Sequence, residues 1–283
     1  MTPTCVALIG AGGKMGTRIV NNLAGAEAYR LLCSEKAEAN IARLRARGLE
    51  VVPGPEAVAQ ADLVVLAVPD AAMHAVSEEL LPHARAGSTA ILLDPAAAAA
   101  GELLPRADLN YVVCHPCHPP LFGDQPSEEA RRDFFGGIAA TQDIVIALLQ
   151  GSEKAFAAAE ALCRAMYAPV AAAHRITVEQ MAILEPTMAE VVAASAAVLM
   201  GEALEEAVRR GVPREAARAF MLGHAQIPLA IVFGAVAATF SDAAQVAIRW
   251  GTEQVIRPDW RRVFEPDQVR AAIREMLHPE AGP

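Results

Sequence analysis

Seven residues near the start of the chain, Gly10-Ala-Gly12-Gly13-Lys14-Met15-Gly16, stand between the apolar run Cys5–Ile9 and a helix-like segment from Lys14 to Leu23. A buried strand that ends in glycines and passes straight into a helix presents backbone N–H groups at the helix start, where an anion can be held. Glycine is needed there because the backbone turns tightly and must approach a pyrophosphate without a Cβ in the way. The spacing departs from a strict G-x-G-x-x-G: it reads G-x-G-x-x-x-G from Gly10, or G-x-x-G-x-x-G through Gly13. In isolation such a motif is weak. At the first strand–helix junction of a chain with further βα units, it predicts a dinucleotide site.

Further apolar runs follow at Tyr29–Cys33, Ala61–Val68, Ala90–Leu93, Tyr111–Cys114, Asp143–Leu149 and Val170–Ala173, with helical patterns between most of them. Continuous apolar strands alternating with helices imply a doubly wound, mostly parallel sheet covered on both faces. From Thr177 the period is helical, over Thr177–Arg210, Arg214–Gly223, Pro228–Phe240, Asp242–Trp250 and Pro266–Leu277. The expectation is an α/β protein, with an N-terminal Rossmann domain over residues 1–170 and an all-helical domain over 171–283. Sixty-one alanines against 13 aromatic residues suit closely packed helices.

A formal charge of −9 argues against a broad nucleic-acid surface. The N-terminal residues do not have the pattern of a signal peptide. The longest uncharged apolar run, Ile227–Phe240, is too short to span a bilayer and contains Pro228 and Gly234. Five scattered cysteines suit reduced thiols better than a disulfide framework. A cytoplasmic protein without membrane or nucleic-acid partners is expected. The small apolar residues of the helical part suggest a homodimer, with Ile227–Phe240 as a contact.

Glu35 follows the second strand, about 20 residues beyond the glycines, where a carboxylate can accept from ribose hydroxyls and repel a 2′-phosphate. It favours NAD over NADP, although Lys36 beside it pulls the other way. Val68-Pro69-Asp70 ends the third strong strand and should border the cofactor. The expected cofactor-binding set is therefore Gly10, Gly12, Gly13, Lys14, Met15, Gly16, Glu35, Val68, Pro69 and Asp70.

Cys114-His115-Pro116-Cys117-His118-Pro119-Pro120 is the most unusual segment. C-x-x-C-H matches haem attachment, but no secretory signal accompanies it. The prolines do not start a helix that would activate a thiol, and no second Cys/His pair completes a structural zinc site. His115 and His118, held by a proline-rich turn, are candidates for acid–base groups or open metal ligands, against a loop with incidental histidines. Pro119–Gly123 would continue as pocket wall.

Glu185 falls on one helical stripe with Met188, Ala189, Val192, Ala196 and Leu199. A carboxylate on an apolar stripe needs a partner, a shifted pKa or a metal. The plainer alternative is a helix-end charge beside Pro186. Arg257, Arg261 and Arg262 around Trp260 are candidates for carboxylate recognition or a solvated cluster.

Together these features resemble the 6-phosphogluconate/β-hydroxyacid dehydrogenase-like superfamily, a Rossmann domain followed by an all-helical one. More narrowly, GAGGKMG, LAVPD, CHPCHPPLF, RRDFFGG, VEQMAILEP and RPDWRRVFEP resemble the D-apionate oxidoisomerase group, from Val6 to about Ile273. The resemblance implies NAD-dependent oxidation of a hydroxyl group of a branched sugar acid, D-apionate, with rearrangement to 3-oxo-isoapionate. The usual 6-phosphogluconate dehydrogenase lysine and asparagine near the start of the long helix are replaced by Gln180, Met181 and Glu185, which argues against decarboxylation by that route. On this reading His115 and Glu185 act as an acid/base pair or hold a divalent metal, and His118 binds substrate or orients His115. The other readings are a different NAD(P)-dependent hydroxyacid or prephenate-like dehydrogenase, and an NAD-sensing binding protein without turnover.

Overall fold

Val6, Ala7 and Leu8 have no exposed surface and form the centre of β1 (Thr4–Ile9) in the computed structural model, which describes residues 2–279. The glycine turn leads into α1 (Lys14–Leu23), whose Ile19, Val20 and Leu23 join Val6 and Leu8 in the core. β2 (Tyr29–Ser34), α2 (Glu38–Ala46), the short β3 (Glu50–Val51) and α3 (Gly54–Gln60) follow. The chain then resumes on the other side of β1 with β4 (Leu63–Leu66), α4 (Asp70–Leu80), β5 (Thr89–Leu92), α5 (Ala96–Ala100) and β6 (Asn110–His118). After α6 (Glu128–Arg132), β7 (Gln142–Gln150) returns antiparallel to β6. α7 (Glu153–Met166) connects it to β8 (Val170–Arg175), which is parallel to β7.

The sheet order is β3-β2-β1-β4-β5-β6-β7-β8, and among the described residues β6/β7 is its one antiparallel pairing. This is the doubly wound, mostly parallel sheet expected from the sequence. Its reversal of winding lies between β1 and β4, where such sheets bind ligands. The glycines are required by close approach there. Gly10 has φ +80°, and a Cβ on it would stand 2.3 Å from the Ala67 carbonyl oxygen, while one on Gly16 would stand 2.2 Å from that of Gly10.

Several stretches differ from the sequence expectation. Cys114–His118, expected as a turn, continues β6; Pro116 lies opposite Ile144, and the register shifts between Pro116 and His118. A proline cannot donate to the ladder, so an irregularity follows it. Thr177–Arg210 is not one regular α-helix. α8 (Val178–Ala182) opens with a capping box, in which the Thr177 hydroxyl accepts from Gln180 N and the Gln180 side chain accepts from Thr177 N. Ile183–Ala194 is then a π-helix leading to α9 (Ser195–Arg209). Pro186 has no N–H to close an i→i−4 bond, and the wider turn accommodates that loss. α10 (Arg214–Val232) runs through Gly223 and Pro228, so residues 234–240 are not the helix end expected there. α11 (Asp242–Val255) extends past Trp250, and α12 (Pro266–Leu277) lies as expected.

Two compact units are present. One runs through Glu185 and takes up the chain again at Arg270; the other is Pro186–Val269. The sequence put the boundary at 170/171, but β8 extends the sheet and α8 packs against β7 and α5, which keeps residues 171–185 with the first unit. In the second unit α9 and α11 contain no buried residue, and Phe220, Ile227, Val232, Phe233 and Trp250 are exposed. The helical stretch Val178–Arg209 is long and apolar enough to cross a membrane by length and composition alone.

Candidate active site

The ends of β1, β2 and β4 frame a cavity of about 620 Å³. Of the expected cofactor residues, Gly10, Gly13, Glu35, Val68 and Pro69 line it, while Gly12, Lys14, Met15, Gly16 and Asp70 do not. Its outer wall adds Asn40, Pro53, Gly54, Val76 and Leu80. These residues come from separate helices and loops, and no local motif announces them.

Glu35 is built into the turn. Its carboxylate accepts from Gly12 N at 2.9 Å, Lys36 N at 2.8 Å, Ala37 N at 3.1 Å and the Asn40 amide at 3.2 Å. Partial burial pushes its pKa up, but these donors outweigh burial and hold it below the usual carboxylate range. Lys36 pairs with Glu79 at 2.9 Å across the same cavity.

A second cluster lies at the same edge, where β5 and β6 end. Leu92 pairs with Val113, so the residues just beyond are brought side by side. His115 Nδ1 donates to the Leu93 carbonyl oxygen at 2.8 Å, since a carbonyl can only accept. In the neutral ring Nε2 then carries a lone pair, and it stands 3.3 Å from Glu185 Oε2. Two lone-pair atoms at that distance repel unless a proton or a cation lies between them. Asp94 completes the group: one ligand atom from each of Asp94, His115 and Glu185 lies within 4.8 Å of the others. Donor atoms around a single cation at roughly 2.0–2.4 Å can stand at most about 4.8 Å apart. One imidazole and two carboxylates, each side chain less than a fifth exposed, thus fit a divalent cation. Sequence reasoning paired His115 with Glu185 but missed Asp94, whose signal was its place in Leu92-Leu93-Asp94-Pro95 at a strand end.

His118 sits next to this group. Its ring centroid is 6.0 Å from that of His115, edge to face, and its Nδ1 donates to the Phe135 carbonyl oxygen at 2.9 Å. Its φ of +61° is rare for a residue with a Cβ and marks a position held against its local preference. The Phe135 carbonyl belongs to a loop clasped by Asp133, whose carboxylate accepts from the backbone N–H of Ile138, Ala139 and Ala140. In the second unit, Arg257 and Arg262 both pair with Asp259, and Arg261 lies over the Trp260 ring, so those arginines are already engaged locally.

Family comparisons agree with this layout. Residues 123–277 match the family described as phosphogluconate dehydrogenase (decarboxylating) C-term, and residues 5–98 match NADP oxidoreductase, coenzyme F420-dependent. The fold and the family match together define a protein of the 6-phosphogluconate dehydrogenase-like superfamily. A D-apionate oxidoisomerase from Cupriavidus necator is 45% identical over 272 residues, covering 96% of this chain and 98% of that one. Another from Rhizobium rhizogenes is 45% identical over 274 residues, covering 96% and 99%. The chain belongs to the D-apionate oxidoisomerase family. A solved structure described as a semialdehyde dehydrogenase NAD-binding protein from Cupriavidus necator, in complex with calcium and NAD, superimposes with a TM-score of 0.93 at 44% identity, covering 96% of this chain and 99% of that one.

Asp70, at the first turn of α4, has its pKa pushed up to about 6, chiefly by burial and then by the Asp94 carboxylate, against the opposing effect of His115. A carboxyl with a folded pKa above its unfolded value of about 3.9 stabilises the fold while protonated, and that contribution is lost as pH rises through about 6. In chelator-treated protein, Asp70→Asn is therefore expected to raise Tm relative to wild type at about pH 7.5 and leave it unchanged near pH 3.5. Equal shifts at both pH values would contradict this assignment.

Proposed function

We propose that this protein is an NAD-dependent oxidoreductase that acts on a hydroxyl group of a branched sugar acid, converting D-apionate with rearrangement to 3-oxo-isoapionate. The observation that carries the reading is the Asp94–His115–Glu185 group beside a dinucleotide-sized cavity on one sheet edge, in a chain with near full-length relatives of that activity. Gly10 and Gly13 in the cavity lining, with Glu35 at the end of β2, support NAD as the cofactor. The carboxylate and the Lys36–Glu79 pair leave no unpaired cation among the lining residues for a 2′-phosphate.

Asp94, His115 Nε2 and Glu185 would hold a divalent cation. When bound, NAD supplies the hydride acceptor and the cation supplies Lewis acidity toward the substrate oxygens. The chain's own contribution is orientation and proton movement. Leu93 O keeps the His115 proton on Nδ1, which directs Nε2 to the Glu185 side. His118 Nε2 takes the hydroxyl proton; the Nδ1–H donation to Phe135 supports this by leaving Nε2 with its lone pair. Asp70, carrying a proton more readily than an ordinary aspartate, lies close enough to Asp94 to feel its charge.

Replacing His115 or Glu185 by Ala is expected to lower turnover of D-apionate at least about a hundredfold while the NAD dissociation constant is unchanged. Chelation should abolish turnover and added divalent cation restore it. Near-normal rates in both variants would overturn the site. NAD binding without turnover of any sugar acid would favour the sensing reading.

The exposed apolar residues of α10, including Ile227 and Val232, together with Phe233 just beyond it, support a homodimer in which a second copy covers them. Five unbridged cysteines support a cytoplasmic, reducing location. Sedimentation at micromolar concentration is expected to give twice the chain mass; a monomer would refute the dimer.

A further inference from the structure

The end of β6 and the starts of β7 and β8 meet at the same edge as the Asp94–His115–Glu185 group, and between them lies a second cavity of about 290 Å³. Cys117, His118, Asp124, Thr141, Gln142 and Asp143 contribute to its lining, which contains neither Lys nor Arg. Two carboxylates without a cationic side chain disfavour an anion and favour a ligand that donates hydrogen bonds.

Gln142 belongs to the lining through the start of β7, with its amide turned into the protein interior. Its side chain is 2% exposed, and its Nε2 donates to the Tyr167 carbonyl oxygen at 2.9 Å. Its Oε1 has no partner among the described residues. That acceptor is packed away from the cavity space, where a Cβ on Gly136 would stand 2.5 Å from it, so it holds the start of β7 in place rather than meeting a ligand. The walls are already set. Asp143 accepts from Ala172 N at 3.0 Å and pairs with His174 at 2.8 Å, while the Gln125 amide clasps the Thr141 backbone at 2.9 and 3.0 Å. The Thr141 hydroxyl and the Asp124 carboxylate, by contrast, engage no other group among the described residues.

We propose that this cavity is the subsite for the hydroxyl-bearing end of the substrate remote from its carboxylate, with the carboxylate turned toward the cation that Asp94, His115 and Glu185 would hold. His118 belongs to both places: it lines the cavity, and its ring centroid is 6.0 Å from that of His115. The longest carbon chain of this branched acid has four carbons, and when it is extended its terminal oxygens stand about 6 Å apart at bond lengths near 1.5 Å, which matches that span. The assignment rests on the sugar-acid reading above and adds an orientation to it. Discrimination arises because a site built for hydroxyls rejects an analogue that leaves its polar groups unpaired.

The test compares D-apionate with a deoxy analogue lacking a hydroxyl remote from the carboxylate, in wild type and in the double variant Asp124→Ala/Thr141→Val. Thr141→Val keeps side-chain shape and Asp124 is exposed, so the fold should survive; unchanged NAD affinity verifies it. Wild type is expected to prefer D-apionate by at least about tenfold in kcat/KM, and the double variant to lose most of that preference. Turnover of D-apionate with equal discrimination in both proteins would overturn the subsite and leave the sugar-acid reading standing. If wild type oxidises no branched sugar acid, the reading itself fails and the subsite with it.

Discussion

The contact on which the site depends is the imidazole of His115, held between the Leu93 carbonyl oxygen and the Glu185 carboxylate. One bond fixes the tautomer and ties the end of β6 to the end of β5. The approach of Glu185 brings in a carboxylate from the segment that follows α8, whose start is fixed by the Thr177–Gln180 capping box. The 3.3 Å approach of two lone-pair atoms is favourable only with positive charge between them, and Asp94 on the third side adds to that demand. The cluster is thus arranged for a cation or a proton rather than for internal stability.

The sheet orders the chemistry along one edge. The reversal between β1 and β4 opens the larger cavity, β5 and β6 carry the carboxylate–imidazole group, and the returning β7 starts the smaller cavity. The antiparallel β7 matters because it places a strand start, with Gln142 and Asp143, where a parallel strand would place its end. Asp133 clasps the connecting loop and presents the Phe135 carbonyl that orients His118. Cofactor, reacting carbon and distal hydroxyls can therefore be arranged in sequence along a rigid framework.

The parts legible in the sequence are those set by local chemistry. The glycine turn, Glu35 and the apolar strands are written in neighbouring residues, because close backbone approach and two-sided burial each leave a local pattern. Asp94 was not legible, since its adjacency to His115 comes from strand register and not from spacing along the chain. Cys114–His118 looked like a turn because prolines usually end strands, yet the antiparallel partner β7 carries the ladder through Pro116 with a shifted register. The helical period across Glu185 misled for a related reason: Pro186 converts the turn to a π-helix, which moves the stripe on which Glu185 was projected. Gln142 had no sequence signal at all, because an orphaned acceptor is a property of packing.

The most direct test is titration of Mn2+ into the protein, followed by electron paramagnetic resonance, for wild type and for Asp94→Asn, His115→Ala and Glu185→Gln. One site per chain is predicted, weakened at least about tenfold by each substitution. Absence of a wild-type site, or equal affinity in all four proteins, would contradict the cation-centred account.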